Sequence, residues 1–391
     1  METTKQALLQ AAEKYADELF SVACDIFDHP EEGGTEVFAS KLLIDFLEEK
    51  GFAVEKGIAG LDTAFRAVWE RGTGGPSIGF LLEYDALRGM GHACGHHLQG
   101  PACIDAALAL MESCTEPFKL VLYGTPDEEI QGGKIIMEKA GCFRDVDAMF
   151  SCHTAAKTTV ATTNKALAPT RVYFHGTPSH ASGAPHKGRS ALDAMMLAFH
   201  GLEIMREHVM DGCRIHYTIL EATGAANIVH TSAAAHITLR SPDRRYLEDM
   251  VRRMENVVKG ACLMTDTTAD FEYRNVYWNL VPIRPLQDAV MDAAYEIGAE
   301  KIRKFDGSSV SGGSTDVGNV SWVVPTVMLY SYYDDASAHT VEWLNAGKTE
   351  KARSSMLSAG KIMGLAALRL ITDKQYLEQV KQEHRIAIGE E

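Results

Sequence analysis

The amino-acid sequence predicts an α/β protein with a mixed sheet, helices on both faces of that sheet, and a smaller inserted α+β domain. Three observations lead to this fold class. Apolar strands alternate with amphipathic helices in residues 1–166 and again in residues 281–391. Between these two parts the order of the elements changes. The length of 391 residues also suits two domains, since one domain commonly holds ~100–200 residues.

The first part opens with a helix, because apolar residues between positions 8 and 26 follow a 3.6-residue period. His29-Pro30 ends this helix, and Thr35 is the expected N-cap of a second helix that Gly51 closes. Strands are predicted at 77–82, 118–123 and 147–151, and helices at roughly 97–112 and 132–140. This alternation implies a parallel or mixed sheet that is covered on both faces.

The middle of the chain has a different pattern, with the order β-α-β-β-α-β of a ferredoxin-like unit. Its elements are predicted at 172–175, 189–208, 214–220, 234–239, 246–262 and 270–274. Alternation resumes at 285–302 and 326–330, and a last helix is predicted at 350–370. We therefore predict a catalytic domain formed by residues 1–166 and 281–391, and an inserted domain at 167–280.

Composition restricts the partners of the protein. Lys plus Arg total 38 against 53 for Asp plus Glu, which gives a net charge of −15 that repels nucleic acid and anionic lipid. No continuous apolar run approaches the ~20 residues that span a bilayer. The 8 cysteines form no C-x-x-C pair, so buried thiols in a reducing compartment are expected. We predict a cytoplasmic protein with no nucleic acid or membrane partner.

Chemically reactive side chains follow four predicted strands. In open α/β sheets, ligands bind beyond the carboxyl ends of the strands, and these ends share one edge. The segments concerned are Glu83-Tyr84-Asp85, Thr125 to Glu129, Cys152-His153-Thr154 and Asp334 to His339. The sequence therefore predicts one site at this edge.

A histidine-rich segment joins this set. Residues 91–97 are Gly-His-Ala-Cys-Gly-His-His, directly before a predicted helix. Thiolate, imidazole and carboxylate ligands together suit zinc, with manganese or cobalt possible when carboxylates dominate. The sequence therefore predicts a divalent metal site.

The Gly-His-Ala-Cys-Gly-His segment, following Glu-Tyr-Asp-Ala-Leu at 83–87, resembles the peptidase M20 family of aminoacylase- and carboxypeptidase-type dinuclear metallohydrolases. It is similar to the amidohydrolase branch of plant auxin-conjugate hydrolases and bacterial aminobenzoyl-glutamate hydrolases, and also to β-alanyl dipeptidases. The resemblance covers nearly the whole chain. It implies a zinc-exopeptidase-like catalytic domain, an inserted dimerisation domain, and two divalent ions, with zinc the first expectation.

The resemblance implies a role for each matching residue. Cys94 would bridge the two metals as a thiolate, and His96 would bind one of them. The further ligands would be Glu129, His153 and His339. Glu128 would act as general base, and Asp85 would orient a ligand from behind.

The resemblance also assigns residues of the inserted domain. His180 would reach the active site of a partner subunit and stabilise the oxyanion, so a homodimer or higher homo-oligomer is implied. Asn227 and Arg240 would hold the carboxylate of the substrate. The glycine-rich segment around Gly313 would offer backbone N–H groups to the substrate.

Three neighbouring residues receive separate interpretations. His97 stands where the wider branch has Asp or Asn, which either removes a supporting hydrogen bond or adds an imidazole that could bind metal. His92 is interpreted as structural. Cys152 is expected to point away from His153 into the core.

Together these features predict a dinuclear metal-dependent amidohydrolase that cleaves an N-acyl amino acid or small dipeptide with a free carboxylate. The negative net charge slightly favours cationic substrates. Two alternatives remain. A cysteine hydrolase would use Cys94 as nucleophile with His96 or His153 as base, but leaves Glu128 and Glu129 without a function. A non-catalytic member would use the fold for assembly or binding, which the presence of Glu128 disfavours.

Overall fold

The computed structural model describes residues 2–304 and 313–390. The chain divides into two compact units. The first contains residues 2–163, 280–304 and 315–390, and the second contains 164–279 with 313–314. The predicted inserted domain, 167–280, overlaps the second of these units.

The first unit is built on one mixed sheet. Its strands are β1 (Ala53–Lys56), β2 (Phe65–Arg71), β3 (Ser77–Leu82), β4 (Phe118–Gly124), β5 (Ala148–Ala155), β6 (Thr159–Val160) and β11 (Thr326–Tyr332). They lie in the order β1-β2-β4-β3-β5-β11-β6. The central pairs β4-β3, β3-β5 and β5-β11 are parallel, whereas β1, β2 and β6 pair antiparallel. Because the central strands are parallel, their carboxyl ends point the same way.

Helices cover both faces of this sheet. They are α1 (Glu2–Asp28), α2 (Val37–Glu49), α3 (Gln99–Ser113), α4 (Gly133–Lys139), α7 (Arg284–Glu296), α8 (Val317–Ser321), α9 (Val341–Asn345), α10 (Glu350–Thr372) and α11 (Lys374–Ile388). Phe80 and Phe150 face the larger core with α1, α3, α7 and α10. Their neighbours Leu81 and Met149 face a smaller core with α4 and α8. The alternation follows from the two-residue period of a strand, and it confirms the predicted fold class.

Helix α10 is long and apolar enough to cross a membrane by length and composition alone. The count of continuous apolar residues missed it, because Lys361 at the middle of the helix and Arg369 near its end interrupt the run. Most of the helix is buried inside the first unit, where it packs against α1, α3 and α7. A core helix of this kind passes the same test as a membrane span.

Some predicted boundaries were wrong. Strand β5 continues to Ala155, because its parallel ladder with β11 extends as far as the pair Ala155 and Tyr332. His153 therefore lies within a strand rather than after one. The prediction also missed α11, which begins directly after α10 because the carboxylate of Asp373 accepts the N–H of Tyr376 and starts a new helix.

The predicted N-cap of α2 was also wrong. The helix begins at Val37, and the Thr35 hydroxyl donates to the carbonyl of Glu32 instead of capping it. The free N–H groups of the first turn are satisfied from outside the helix. The Glu31 carboxylate accepts from Phe38 N and Ala39 N at 2.9 and 3.0 Å. A carboxylate suits this place because the positive end of the helix dipole lies there.

The second unit is a four-stranded antiparallel sheet with two helices. In chain order its elements are β7 (Ala166–His175), α5 (Ala191–Arg206), β8 (Arg214–Glu221), β9 (Ser232–Ser241), α6 (Arg244–Thr265) and β10 (Thr268–Tyr273). The strand order is β10-β7-β9-β8, with α5 and α6 packed on the sheet around buried residues such as Phe174, Leu202 and Met250. This is the β-α-β-β-α-β sequence of elements. The role of this unit in dimerisation stays a prediction.

Candidate metal centre

The segment between Cys94 and His96 is shaped by a glycine. Gly95 has a φ of +87°, in the left-handed region, and a Cβ atom there would lie 2.2 Å from Thr154 Oγ1. The same Thr154 hydroxyl donates to the carbonyl of Cys94 at 3.0 Å. Glycine therefore lets this segment lie directly against the end of β5.

Cys94 belongs to two groups of possible metal ligands. Its Sγ atom lies 3.3 Å from Nε2 of His153, and these two residues form the first group with His96. The same Sγ atom lies 3.4 Å from Nε2 of His339, which forms the second group with Glu129. In each group the donor atoms lie within 4.8 Å of one another. A shared sulfur is the arrangement expected of a ligand that bridges two ions.

Two histidines have their Nε2 atoms directed to this centre by hydrogen bonds on the opposite nitrogen. His96 Nδ1 lies 2.9 Å from the carboxylate of Asp85, and His153 Nδ1 lies 2.8 Å from the carbonyl of Thr154. Both partners can only accept, so each Nδ1 carries the proton. In the neutral rings, Nε2 therefore carries the lone pair that a metal would bind, which is a typical outer hydrogen-bond arrangement of a metal site.

His339 comes from the opposite end of the chain. Its backbone N–H donates to the carbonyl of Ala93 at 2.9 Å, which joins it to the Cys94 segment. Its φ of +66° is uncommon for a residue other than glycine. Nε2 of His339 lies 3.9 Å from Oε1 of Glu129. An unusual backbone conformation at this position is consistent with a functional constraint.

The surroundings of the centre shift the pKa values of two predicted ligands. Burial raises the pKa of the Cys94 thiol to about 12. Burial would lower the pKa of His96, but Cys94 and Asp85 outweigh it and raise this pKa well above its usual value. A thiol, three imidazoles and a carboxylate gathered in this way match the ligand preferences of zinc and related ions, so the residues fit the two metals that the resemblance implies.

Glu128 is not a member of either ligand group that contains Cys94, but it lies close to both. It forms a third group of possible donors with His96 and Glu129. Its pKa is held well above the usual carboxyl value by burial and by the negative charges of Glu83 and Asp316. Glu128 is therefore close enough to the centre to exchange a proton with a molecule held there.

Sequence reasoning missed a buried ion network next to Glu128. Nζ of Lys134 lies 2.6 Å from Oε1 of Glu83 and 2.7 Å from Oδ1 of Asp316, and none of the three side chains is more than 1% exposed. Glu83 Oε2 lies 3.5 Å from Nε2 of His96. Lys134 is the second residue of the short helix α4, and because lysine is usually exposed, its identity did not indicate this burial.

His92, His97 and Cys152, the neighbours of the predicted ligands, belong to none of the ligand groups found among the described residues. His97 is buried, and its Nε2 lies 3.0 Å from the carbonyl of Gly347, so its imidazole belongs to the packing of the unit. His92 is also buried, with Nε2 at 3.1 Å from the carbonyl of Ile26. Cys152 points into the larger core, on the face of β5 opposite His153.

His180 and Asn227, both predicted to contact the substrate, lie next to each other in the second unit. His180 and Ile228 form an antiparallel bridge, and the N–H of Ala181 donates to the carbonyl of Asn227 at 2.9 Å. His180 is exposed, and its Nδ1 accepts the N–H groups of Ser182 and Gly183 at 3.2 and 3.1 Å. In the neutral ring, Nε2 therefore carries the proton and is a hydrogen-bond donor.

Arg240 and Gly313, the other two, are linked through Ser314 and Lys165. Arg240 donates from NH1 to Oγ of Ser314 at 2.9 Å, and Ser314 donates to the carbonyl of Lys165 at 2.7 Å. The carbonyl of Gly313 accepts the N–H of Lys165 at 3.3 Å. Gly312, the other glycine of this segment, lies outside the described residues. The half-buried guanidinium of Arg240 is thus held in place and has further donors to offer.

A family model decides the class of protein. The model of Peptidase family M20/M25/M40 matches residues 77–357. The chain belongs to this peptidase family. The match includes the ligand groups of the first unit and the whole of the second unit, so the family and the donor cluster together support a metal-dependent peptidase or amidohydrolase.

Curated M20 relatives cover almost the full length. The chain is 32% identical over 406 residues to an Xaa-Arg dipeptidase of Mus musculus, spanning 100% of this chain and 94% of the relative. It is 29% identical over 450 residues to one of the subunits of the p-aminobenzoyl-glutamate hydrolase of Escherichia coli, spanning 95% and 92%. These relatives act on small peptide-like substrates by name.

Solved structures share the fold. A putative aminohydrolase from methicillin-resistant Staphylococcus aureus superposes with a TM-score of 0.79 at 18% identity, covering 94% of this chain and 100% of that one. A dinuclear metal binding peptidase of Bacillus subtilis gives a TM-score of 0.70 at 18% identity, covering 92% and 99%. At this identity the likeness concerns the fold alone.

Proposed function

We propose that this M20 protein is a dinuclear metal-dependent amidohydrolase that cleaves the amide bond of an N-acyl amino acid or a small dipeptide. The observation that carries the proposal is the position of the Cys94 sulfur in two ligand groups at once. One ion would bind Cys94, His96 and His153, and the other would bind Cys94, Glu129 and His339. Zinc is the first candidate, with manganese or cobalt as alternatives.

When bound, two divalent ions would polarise the scissile carbonyl and lower the pKa of the attacking water. The chain supplies the proton transfers. Glu128 is the general base: its carboxylate accepts a proton from the attacking water and then donates it to the leaving amine. Asp85 orients two of the predicted metal ligands: Oδ1 holds the imidazole of His96, and Oδ2 accepts the backbone N–H of Glu129 at 3.0 Å.

The substrate would carry a free carboxylate. Arg240 would bind it in a charge-assisted hydrogen bond, with Asn227 and the backbone at Gly313 as further partners. Two curated relatives, from mouse and human, are named Xaa-Arg dipeptidase, and the net charge of −15 attracts cations. Dipeptides that end in a basic residue are therefore the first substrates to test.

His180 would stabilise the oxyanion in the active site of a partner subunit. The proton on its Nε2 makes it a donor in the neutral form, as this role requires. A homodimer is supported by β8, an edge strand with an exposed apolar surface in which Ile219 is 53% and Leu220 48% exposed. Unpaired strand edges of this kind readily pair with a second chain.

The location is proposed as cytoplasmic. All cysteines are free thiols, including the partly exposed Cys24 and Cys142, which suits a reducing compartment.

Elemental analysis, combined with a substrate assay, tests the proposed function. We expect about two divalent ions per chain, as the dinuclear site requires, and hydrolysis that a chelator abolishes and added zinc or manganese restores. The panel should contain N-acetyl and N-aroyl amino acids, β-alanyl dipeptides and dipeptides ending in Arg or Lys. Hydrolysis that is unaffected by the chelator would favour Cys94 as a nucleophile. Absence of metal after reconstitution would favour a non-catalytic binding protein.

Mixing two inactive variants tests the role of His180 in trans. We expect His180→Ala to lower turnover strongly while the metal content stays unchanged. In a mixed dimer with Glu128→Gln, one of the two sites has both native residues, so random mixing should restore about a quarter of the wild-type activity. His186→Ala, an exposed histidine of the same unit, is the matched control and should remain active. Verified mixed dimers without activity would contradict the composite site.

A further inference from the structure

The turn between α1 and α2 packs against the segment that carries Glu128. We propose that Glu36 is a positioning residue for Glu128: from the position directly before α2, its carboxylate fixes the peptide group between Pro126 and Asp127, one peptide group before that of the general base. The inference rests on the proposed function, in which Glu128 is that base. Sequence analysis gave Glu36 no role.

The Glu36 carboxylate is fully buried, and donors from two distant parts of the chain bind it. Oε1 accepts the backbone N–H of Asp127 at 2.7 Å, and Oε2 accepts the hydroxyl of Thr63 at 3.1 Å. The carbonyl of Thr63 is itself fixed, because the hydroxyls of Ser40 and Tyr84 donate to it at 2.8 and 2.6 Å. Glu36 is thus held by the interior of the first unit on one side and holds Asp127 on the other.

Asp127 needs such support because its backbone conformation is uncommon. Its φ of +62° lies in the left-handed region, which costs a residue with a Cβ roughly 1 kcal/mol. Its carboxylate is occupied by the backbone and side-chain nitrogens of Gln131, at 3.1 and 2.9 Å. Gly33 lies directly beneath, where a Cβ would stand 2.2 Å from Oδ1 of Asp127. The turn is therefore shaped to receive Asp127.

Glu128 lies between two peptide groups that are each held by a buried carboxylate. Glu36 accepts the N–H of Asp127, and Asp85 accepts the N–H of Glu129 at 3.0 Å. Asp85 also contacts the ligand His96, so changing it would disturb the metals. Glu36 makes its contacts outside both Cys94 ligand groups, which separates the position of the base from the binding of metal. With Glu36 removed, the peptide is free to rotate and Glu128 loses its fixed position.

The test compares Glu36→Leu with Glu36→Gln. Glutamine keeps an acceptor oxygen in the same place, and since burial raises the pKa of Glu36 to about 7, a neutral side chain is a small electrostatic change. We expect Glu36→Leu to lower kcat at least about ten-fold, with KM and the content of two metals nearly unchanged. Glu36→Gln should recover most of the rate. Amide exchange of residues 126–130, measured without metal, should be faster in the leucine variant only.

Glu31→Leu is the matched control. Glu31 belongs to the same turn and accepts two N–H groups of α2, but none from the Glu128 segment. It should reduce stability and leave kcat close to wild type. If Glu36→Leu does not fold, Thr63→Val removes the hydroxyl donor of Glu36 with little change in volume. We expect Thr63→Val to lower kcat as well, by a smaller factor.

Three results would overturn the inference. They are a wild-type kcat in Glu36→Leu, an equal loss of kcat in Glu31→Leu, and a loss of metal in parallel with the rate. Failure of the proposed function has a different signature, because wild-type protein would then show no chelator-sensitive hydrolysis. An active wild type, with Glu128→Gln inactive and Glu36→Leu fully active, contradicts the positioning role alone.

Discussion

Glu128→Gln is expected to lower kcat by about 10²–10⁴-fold, the usual contribution of a positioned general base. Glutamine has nearly the same shape as glutamate, but its amide cannot accept a proton from water at neutral pH. The leaving amine also loses its proton donor, so both steps of amide hydrolysis are slowed. Steady-state kinetics at saturating substrate, with the most rapidly cleaved compound of the panel, measure the effect.

Metal content separates this effect from a damaged site. Glu128 lies outside the two ligand groups that contain Cys94, so Glu128→Gln should retain both ions. Glu129→Gln is the matched control on the adjacent residue: it changes a ligand of the second group and should lose metal as well as rate. Loss of metal from Glu128→Gln would show that this side chain is a ligand, and a different base would then be required.

The ligand groups could be anticipated from the sequence because of a general property of parallel sheets. Residues following β3 and β4 must lie at one edge, and Cys94 with His96 precedes a helix that packs on this sheet. The structure brings these side chains together with His153 and His339. Strand boundaries were less accurate, since the length of β5 depends on its pairing with β11, which is distant in sequence.

The supporting residues could not be anticipated. Glu36 lies directly before α2 and Lys134 lies in the first turn of α4, and charged residues at such positions are usually exposed. Their burial follows from partners far along the chain, Asp127 for one and Glu83 with Asp316 for the other. The left-handed conformations of Asp127 and His339 could not be assigned from the sequence either, because Asp and His adopt a positive φ more often than most residues but still only in a minority of cases.

Lys134→Met is expected to reduce the free energy of unfolding by about 3–5 kcal/mol, the cost of breaking a buried ion network by removing one partner. The side chains of Glu83 and Asp316, which face Lys134, are at most 1% exposed, so neither carboxylate can reach solvent. Burial alone would lower the pKa of Lys134, but Asp316 and Glu83 outweigh it and raise this pKa well above its usual value. The ammonium group is therefore charged in the fold, and methionine removes the counter-ion that Glu83 and Asp316 share.

Calorimetry without metal measures this loss, because bound ions would otherwise stabilise the folded state by mass action. A decrease of about 5–15 °C in the melting temperature corresponds to the expected free energy for a unit of this size. Lys348→Met is the control: Lys348 pairs with Asp28 at 2.6 Å on the surface of the same unit, with side chains 44% and 51% exposed, and should change little.

The triple variant Lys134→Met, Glu83→Gln and Asp316→Asn identifies the cause of the loss. It removes the lysine and the two charges that it neutralises, so no buried charge of the network remains unpaired. If unpaired charge is the cause, the triple variant should be more stable than Lys134→Met by at least about 1 kcal/mol, although more atoms have been changed. If packing around the lysine chain is the cause instead, the triple variant will be no more stable than the single one. The backbone N–H of Lys134 also donates to Asp316 at 3.0 Å, and asparagine can still accept it, so the comparison isolates the charges.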